Sequence, residues 1–241
     1  MGGRGASSSR GGGSGASASA NKKLEAFQKM SPTELESLAS RLRQIPNSFY
    51  TDQNLNATNP TQRLVTDLGM NDKPLVLEDA EYDKMISSHP DLIQIYRGVQ
   101  GNYQQHKSAE DVRKDTLYGD ITYIGDGIHG HGLYFSTDAS TAKAYAGGSR
   151  NGAITQAVLN PKKVKAITED NLRQMARNDP QHYNRNTMRD ISQYALYKGY
   201  NTIIAVGGNG SRSHANGGED FYIPLDRSVL ICRKTTNKNN L

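Results

Sequence analysis

The chain has 241 residues, a net charge of +5 and a single cysteine. A chain of this length can bury one substantial core. A lone cysteine, Cys232, excludes an internal disulfide and every multi-cysteine zinc pattern, which fits a reducing compartment. The sequence has no apolar run long enough to cross a bilayer, and no apolar block follows its Gly/Ser/Arg start, so we expect a soluble, unsecreted, cytoplasmic protein with no membrane partner.

The positive charge lies at the two ends of the chain. Seven of the 29 basic residues fall in the segments 1–23 and 233–241, which contain no acidic residue, and the remainder holds 22 basic against 24 acidic residues. Basic tails on a nearly neutral body typically confer solubility or a weak, salt-sensitive attraction to polyanions. The charge therefore does not by itself indicate a dedicated nucleic-acid-binding protein.

The front of the chain changes character near residue 22. Residues 1–22 show no apolar period, so we expect a disordered Gly/Ser/Arg tail. Ser31, followed by Pro32 and Glu34, is a capping-box helix start. The other segments expected in this region are a polar, turn-rich stretch at 47–59, a helix over 63–70 and a helix from 77 or 78 to 88. Together these predict a small helical lobe over 23–90.

After Pro90 the pattern favours strands separated by glycine-bearing loops. The expected strands are 91–99, 120–124, 132–136, 153–159, 201–206, 219–225 and 228–232, and the expected helices are 138–146, 169–178 and 187–198. Strands do not alternate regularly with long helices, so a doubly wound parallel sheet is not expected. The prediction is an α+β fold with a mixed or antiparallel sheet over 91–233, followed by a basic tail at 234–241.

Arg97 is the first candidate functional residue. The period of two places it on one strand face with Ile95 and Val99, so the guanidinium ends an apolar row. Burying a charge without a partner is costly, and arginine is suited to bidentate contact with a phosphate. An ordinary salt bridge to a core carboxylate is the alternative.

The glycine-rich segment 125–130 satisfies G-x-G-x-x-G but does not predict a Rossmann site. That motif needs a helix directly after it and an acidic residue some twenty positions later, and this sequence offers neither. The glycines indicate a turn or a loop that passes close to a ligand. His129 and His131 would point to opposite sides of an extended segment, so no metal site is expected.

Two further motifs carry polar groups at strand ends. Ser136, Thr137 and Asp138 end one expected strand and begin a helix, where capping is the simple interpretation. In the late strand the period places Glu219 on the apolar face and Asp220 on the other. We therefore favour Glu219 as the buried acid, while a solvated loop carboxylate remains the alternative.

The order of these motifs resembles the arginine-serine-glutamate class of mono-ADP-ribosyltransferases, the toxin-like family that splits NAD. The resemblance spans roughly residues 91–233. It rests on Tyr96-Arg97-Gly98, on Phe135-Ser136-Thr137-Asp138, on Glu219, and on the blocks 130–135 and 142–146, which are also similar to poly-ADP-ribose polymerase relatives. The Gly/Ser/Arg start and helical lobe resemble transferase-like proteins carried by bacteriophages, which implies a bacterial host cell.

The resemblance implies that NAD is a co-substrate and that no metal takes part. Glu219 would stabilise an oxocarbenium-like ribose, Arg97 would hold the NAD phosphates, and Ser136 would orient Glu219. Tyr134 or Tyr145 would stack on nicotinamide. The other residues implied in NAD binding are Gly98, Gly132 and Thr137.

One departure from the family pattern bears on the acceptor. Members that modify arginine carry Glu or Gln two residues before the catalytic glutamate, and this chain has Gly217. The acceptor is therefore open: another protein side chain, a nucleic acid, or water, which would make the protein an NAD glycohydrolase. The alternative from another class is a non-catalytic binding module whose basic tails dock on nucleic acid or on a phage assembly partner.

Overall fold

The computed structural model describes residues 14–44, 60–70, 72–101, 107–119, 127, 129–147, 152–207 and 219–235. The helices are α1 Ser14–Gln28, α2 Pro32–Arg43, α3 Pro60–Asp67, α4 Asp79–Ser88, α5 Ala109–Tyr118, α6 Ala139–Tyr145, α7 Glu169–Arg177 and α8 Ile191–Tyr197. The strands are β1 Leu75–Leu77, β2 Gln94–Val99, β3 Phe135–Ser136, β4 Ala153–Leu159, β5 Ala166–Thr168, β6 Thr202–Ala205, β7 Phe221–Pro224 and β8 Leu230–Arg233. None of the helices in these ranges has the length and apolar character needed to span a membrane.

The strands form one mixed sheet in the order β1-β8-β4-β2-β3-β7-β6-β5. Only the pairs at the two edges, β1 with β8 and β5 with β6, are parallel, and the inner pairs are antiparallel. The predicted α+β class with a mixed sheet is confirmed. The predicted strand at 120–124 and the polar segment at 47–59 lie outside the described residues.

Both faces of the sheet are covered. On one face, Ile95, Phe135 and Tyr222 belong to a core cluster that Leu117 of α5 closes. On the other face, Ile203 and Phe221 belong to a larger cluster shared with α8 and with the helices near the amino terminus. The sheet therefore separates two cores, and a side chain's position along its strand decides which core it enters.

The amino-terminal helices belong to the same core as the sheet. Phe27 of α1 is buried against Tyr197 of α8, with ring centroids 5.8 Å apart. The helix α1 begins at Ser14, inside the segment 1–22 that the composition predicted to be disordered, because this apolar anchor stabilises the turns before it. Residues 1–13 lie outside the described part of the chain.

Residue 90 is not a packing boundary. Strand β1, which precedes it, pairs with β8 at the far end of the chain. Leu35, Leu42 and Leu64 share one cluster with β6 and β7. The region 23–90 is therefore one wall of the core and contributes a strand to the sheet, where the sequence predicted a purely helical lobe.

Candidate functional site

The three predicted motifs lie on three neighbouring strands. Arg97 is in β2, Ser136 ends β3, and Glu219 and Asp220 directly precede β7. These strands are adjacent in the order β2-β3-β7. Motifs spread from residue 97 to residue 220 of the sequence thus lie side by side in the centre of one sheet.

The register places Arg97 and Ser136 on opposite faces of that sheet. Ser136 pairs with Tyr96 on one side and with Phe221 on the other, so these three side chains share a face. Arg97 pairs with Thr155 and faces the core that α5 covers. The resemblance implies that Arg97, Ser136 and Glu219 act on one NAD molecule, but Arg97 does not share the face of Ser136, because its neighbour Tyr96 occupies the position opposite Ser136.

Glu219 faces a small cavity at the ends of β6 and β7. Its Oε1 atom is buried, and among the described residues it has no hydrogen-bond partner. The cavity has a volume of about 80 Å³, enough for a few water molecules or one small group but not for a whole dinucleotide. The residues that line it are His129, Thr168, Glu169, Asp170, Ile204, Ala205, Val206, Gly207, Glu219 and Phe221.

Asp220 has a structural bond that Glu219 lacks. Its Oδ1 atom accepts a hydrogen bond from the Gly207 N–H at 2.8 Å, which ties the end of β6 to the start of β7. The Thr137 N–H donates to the Asp220 carbonyl at 3.1 Å, so Thr137 continues the pairing of β3 with β7. Strand alternation puts the Asp220 side chain on the Arg97 face, whereas Glu219 shares the face of Ser136.

Ser136 is buried and takes part in the start of α6. Its Oγ atom accepts a hydrogen bond from the Asp138 N–H at 2.9 Å, and Asp138 caps the helix by accepting from the Ser140 N–H at 2.9 Å. These bonds from Ser140 hold the pKa of Asp138 below its usual value. Among the described residues Ser136 makes no hydrogen bond to Glu219, so the capping interpretation accounts for the contacts of the motif.

Of the two candidate tyrosines, Tyr145 is close enough to Glu219 to be influenced by its charge. Tyr145 ends α6 with its side chain 48% exposed. Burial and then the negative charge of Glu219 raise the pKa of Tyr145. The Tyr134 hydroxyl instead donates to the Gly130 carbonyl at 2.5 Å, and its ring lies 6.4 Å from that of Phe221. Tyr134 thus supports the wall of the cavity, and Tyr145 lies near Glu219 with about half of its surface exposed.

The two glycines implied in NAD binding are required by packing. A Cβ atom on Gly98 would lie 1.8 Å from the Ala142 carbonyl oxygen, and one on Gly132 would lie 2.2 Å from Cγ2 of Ile223. Gly98 therefore lets α6 approach β2 closely, and Gly132 lets its loop pass over β7. These contacts explain both glycines without a ligand.

The structure also places at the cavity a pair that the sequence reasoning did not select. The His129 Nδ1 atom lies 2.5 Å from Oε2 of Glu169, whose other oxygen accepts from Arg173 Nε at 2.6 Å. Burial raises the pKa of Glu169, but the hydrogen bonds with His129 and Arg173 outweigh it, so this pKa is lowered. The sequence offers only a weak indication of this pair, since it consists of one histidine in a glycine-rich loop and one glutamate in the first turn of a predicted helix.

Within the described ranges no group of three or more His, Cys, Asp and Glu side chains could hold a metal ion. No protein-family model matches the chain, and no curated protein and no solved structure matches it either.

Proposed function

We propose that this protein is a mono-ADP-ribosyltransferase, an enzyme that cleaves NAD and transfers ADP-ribose to a macromolecular acceptor, with Glu219 as its catalytic carboxylate. The observation that carries the proposal is the Glu219 side chain, which lines the cavity and whose buried Oε1 atom has no hydrogen-bond partner among the described residues. A carboxylate left unsatisfied in this way is costly for folding. A substrate that forms a hydrogen bond with this oxygen would directly explain why the protein tolerates that cost.

The chemistry follows from the charge that NAD cleavage creates. Breaking the bond between nicotinamide and ribose leaves a sugar with oxocarbenium character, and a fixed carboxylate in a water-poor cavity stabilises that positive charge. The cavity needs to admit only the reacting end of the dinucleotide. Its volume of about 80 Å³ is consistent with such partial entry.

The remaining groups have roles that fit their positions. Tyr145, half exposed and close to Glu219, is the proposed stacking partner of nicotinamide. Ser136 fixes the start of α6 and through it Tyr145. Arg97 lies on the opposite face of the sheet and is therefore given no role at the cavity that holds Glu219.

The test is NAD turnover by the full chain and by two isosteric variants. Release of nicotinamide from NAD, with and without a bacterial lysate as a source of acceptors, should be measurable for the wild type. Glu219→Gln should slow it by at least about 100-fold, since it removes the stabilising charge. Asp220→Asn is the matched control and should retain most of the activity, because an asparagine Oδ1 still accepts from Gly207.

Two results would overturn the proposal: no nicotinamide release by the folded wild type under either condition, or unchanged release by Glu219→Gln. The fate of ADP-ribose then separates the two enzyme activities. Label attached to protein or nucleic acid identifies a transferase, whereas free ADP-ribose alone identifies an NAD glycohydrolase.

A further inference from the structure

The imidazole of His129 is held in one orientation at the edge of the cavity. Its Nδ1 atom is bound to Glu169, its ring stacks on Phe221 with centroids 6.2 Å apart, and its backbone N–H donates to the Tyr134 hydroxyl at 3.1 Å. Both His129 and Glu169 line the cavity with Glu219. The bond to Glu169 and the stacking on Phe221 fix the ring, so its remaining nitrogen has a defined direction.

The carboxylate of Glu169 determines which nitrogen of His129 carries the proton. An ionised carboxylate only accepts hydrogen bonds, so the neutral imidazole must be protonated at Nδ1. The Nε2 atom then has a free lone pair. No hydrogen bond within the described part of the chain involves Nε2, so this lone pair is available to a group in the cavity.

We propose that His129 is the general base that accepts the proton of the attacking hydroxyl group. This inference rests on the proposed function. The C1′–N bond of NAD breaks and its electron pair leaves with nicotinamide, which becomes neutral. The hydroxyl oxygen of water or of a macromolecular acceptor forms the new C1′–O bond, and its proton passes to Nε2 of His129 and then to solvent. Glu169 stabilises the imidazolium that forms.

The charges around His129 favour this step. The ionisable groups that face it are Glu169, Asp170 and Glu219 along the cavity, Arg173 on the far side of Glu169, and the hydroxyl of Tyr134. Three carboxyl groups against one guanidinium give the ring a negative surrounding, which attracts the positive charge that the transfer creates. Only the neutral ring can act as a base, so product formation should rise with pH.

The experiment separates cleavage from attack. Exchange of isotope-labelled free nicotinamide into NAD reports cleavage and its reversal, and formation of ADP-ribose in water or methyl ADP-ribose with added methanol reports attack by a hydroxyl group. His129→Gln should keep the rate of exchange and form both products about 100-fold more slowly. Glu219→Gln should lose both the exchange and the formation of products. Glu169→Gln, which keeps the ring but removes the charge, should lower the apparent pKa of product formation.

The matched control is His182→Gln. His182 also contacts a carboxylate, with Nδ1 2.6 Å from Asp179, but it does not line the cavity. This variant should keep the wild-type rates and pH profile. Near-UV circular dichroism checks the fold of each variant. If His129→Gln does not fold, the pH profile of product formation by Glu169→Gln decides whether His129 has the proposed role.

Each outcome has one meaning. A wild type that catalyses neither exchange nor product formation removes the proposed function and this inference with it. A wild type that turns over NAD, together with a folded His129→Gln that forms both products at the wild-type rate and pH dependence, leaves the function intact and overturns the role of His129. An unchanged apparent pKa in Glu169→Gln overturns the pairing on which the role depends.

Discussion

Replacing Gly98 by alanine tests whether this glycine serves packing or a ligand. The new Cβ atom would lie 1.8 Å from the Ala142 carbonyl oxygen in α6 and 2.8 Å from the backbone nitrogen of Ala146, which caps the end of that helix. Ordinary contact begins near 3.4 Å, so the helix or the strand has to move by roughly 1.5 Å. We expect a loss of about 3 kcal/mol in the free energy of unfolding and a fall in Tm of roughly 6–12 °C.

The assay is urea and thermal denaturation followed by circular dichroism, without NAD. Ala144→Ser, an exposed change on the same helix, is the control and should unfold within about 0.5 kcal/mol of the wild type. If Gly98→Ala unfolds at the wild-type midpoint and only its affinity for NAD falls, the packing argument is refuted. The glycine would then serve the nucleotide, as the family resemblance implies.

Two further predictions concern ionisable groups away from the candidate site. Burial raises the pKa of Asp179, but hydrogen bonds with Lys198, His182 and Tyr194 outweigh it and lower the pKa to about 2. A pKa depressed on folding gives stability that is present above about pH 4 and is lost as the pH falls towards 2. Asp179→Asn should therefore cost about 2 kcal/mol at pH 7 and much less at pH 2.5 in urea titrations, and an equal cost at both pH values would contradict the assignment. Burial raises the pKa of the Cys232 thiol to about 12. A disulfide reagent at pH 8 should therefore label the folded protein only as fast as the protein unfolds locally around this thiol. Rapid stoichiometric labelling of the native protein would be inconsistent with the burial of Cys232.

Local signals in the sequence were sufficient for much of the fold. Ser31 and Glu34 form the predicted capping box of α2, and the strand expected over 153–159 is β4 with the same bounds. The helix expected to end near Gly199 does so, with that glycine in the left-handed region. Each of these rests on neighbouring residues, where spacing and propensity decide the conformation.

Other elements were missed for identifiable reasons. The helix α5 starts with a capping box of Ser108 and Asp111, a signal present in the sequence that the strand-rich surroundings obscured. The strands β1 and β5 have three residues each and exist because they pair in parallel with distant partners. No local pattern specifies such a pairing, since its stabilisation comes from a strand far away in the sequence.

The site shows the same limit. The sequence predicted that Arg97, Ser136 and Glu219 act at one site but did not specify the register of their strands, and a shift of one residue moves a side chain to the other face. The contact between His129 and Glu169 joins two residues 40 positions apart that share no periodic pattern. A pair of this kind becomes visible only when the chain is folded.

The pairing of β1 with β8 has a consequence for how the protein is made. A nascent chain emerges with Leu75–Leu77 long before the partner strand at Leu230–Arg233 has been synthesised. The apolar faces of α2 and α3 likewise cannot be buried until α8, β6 and β7 have been synthesised. Native structure is thus deferred until the segment through Arg233 has been synthesised, and earlier intermediates expose apolar surface to chaperones or to aggregation. Fragments that stop before the last strand should behave as such intermediates.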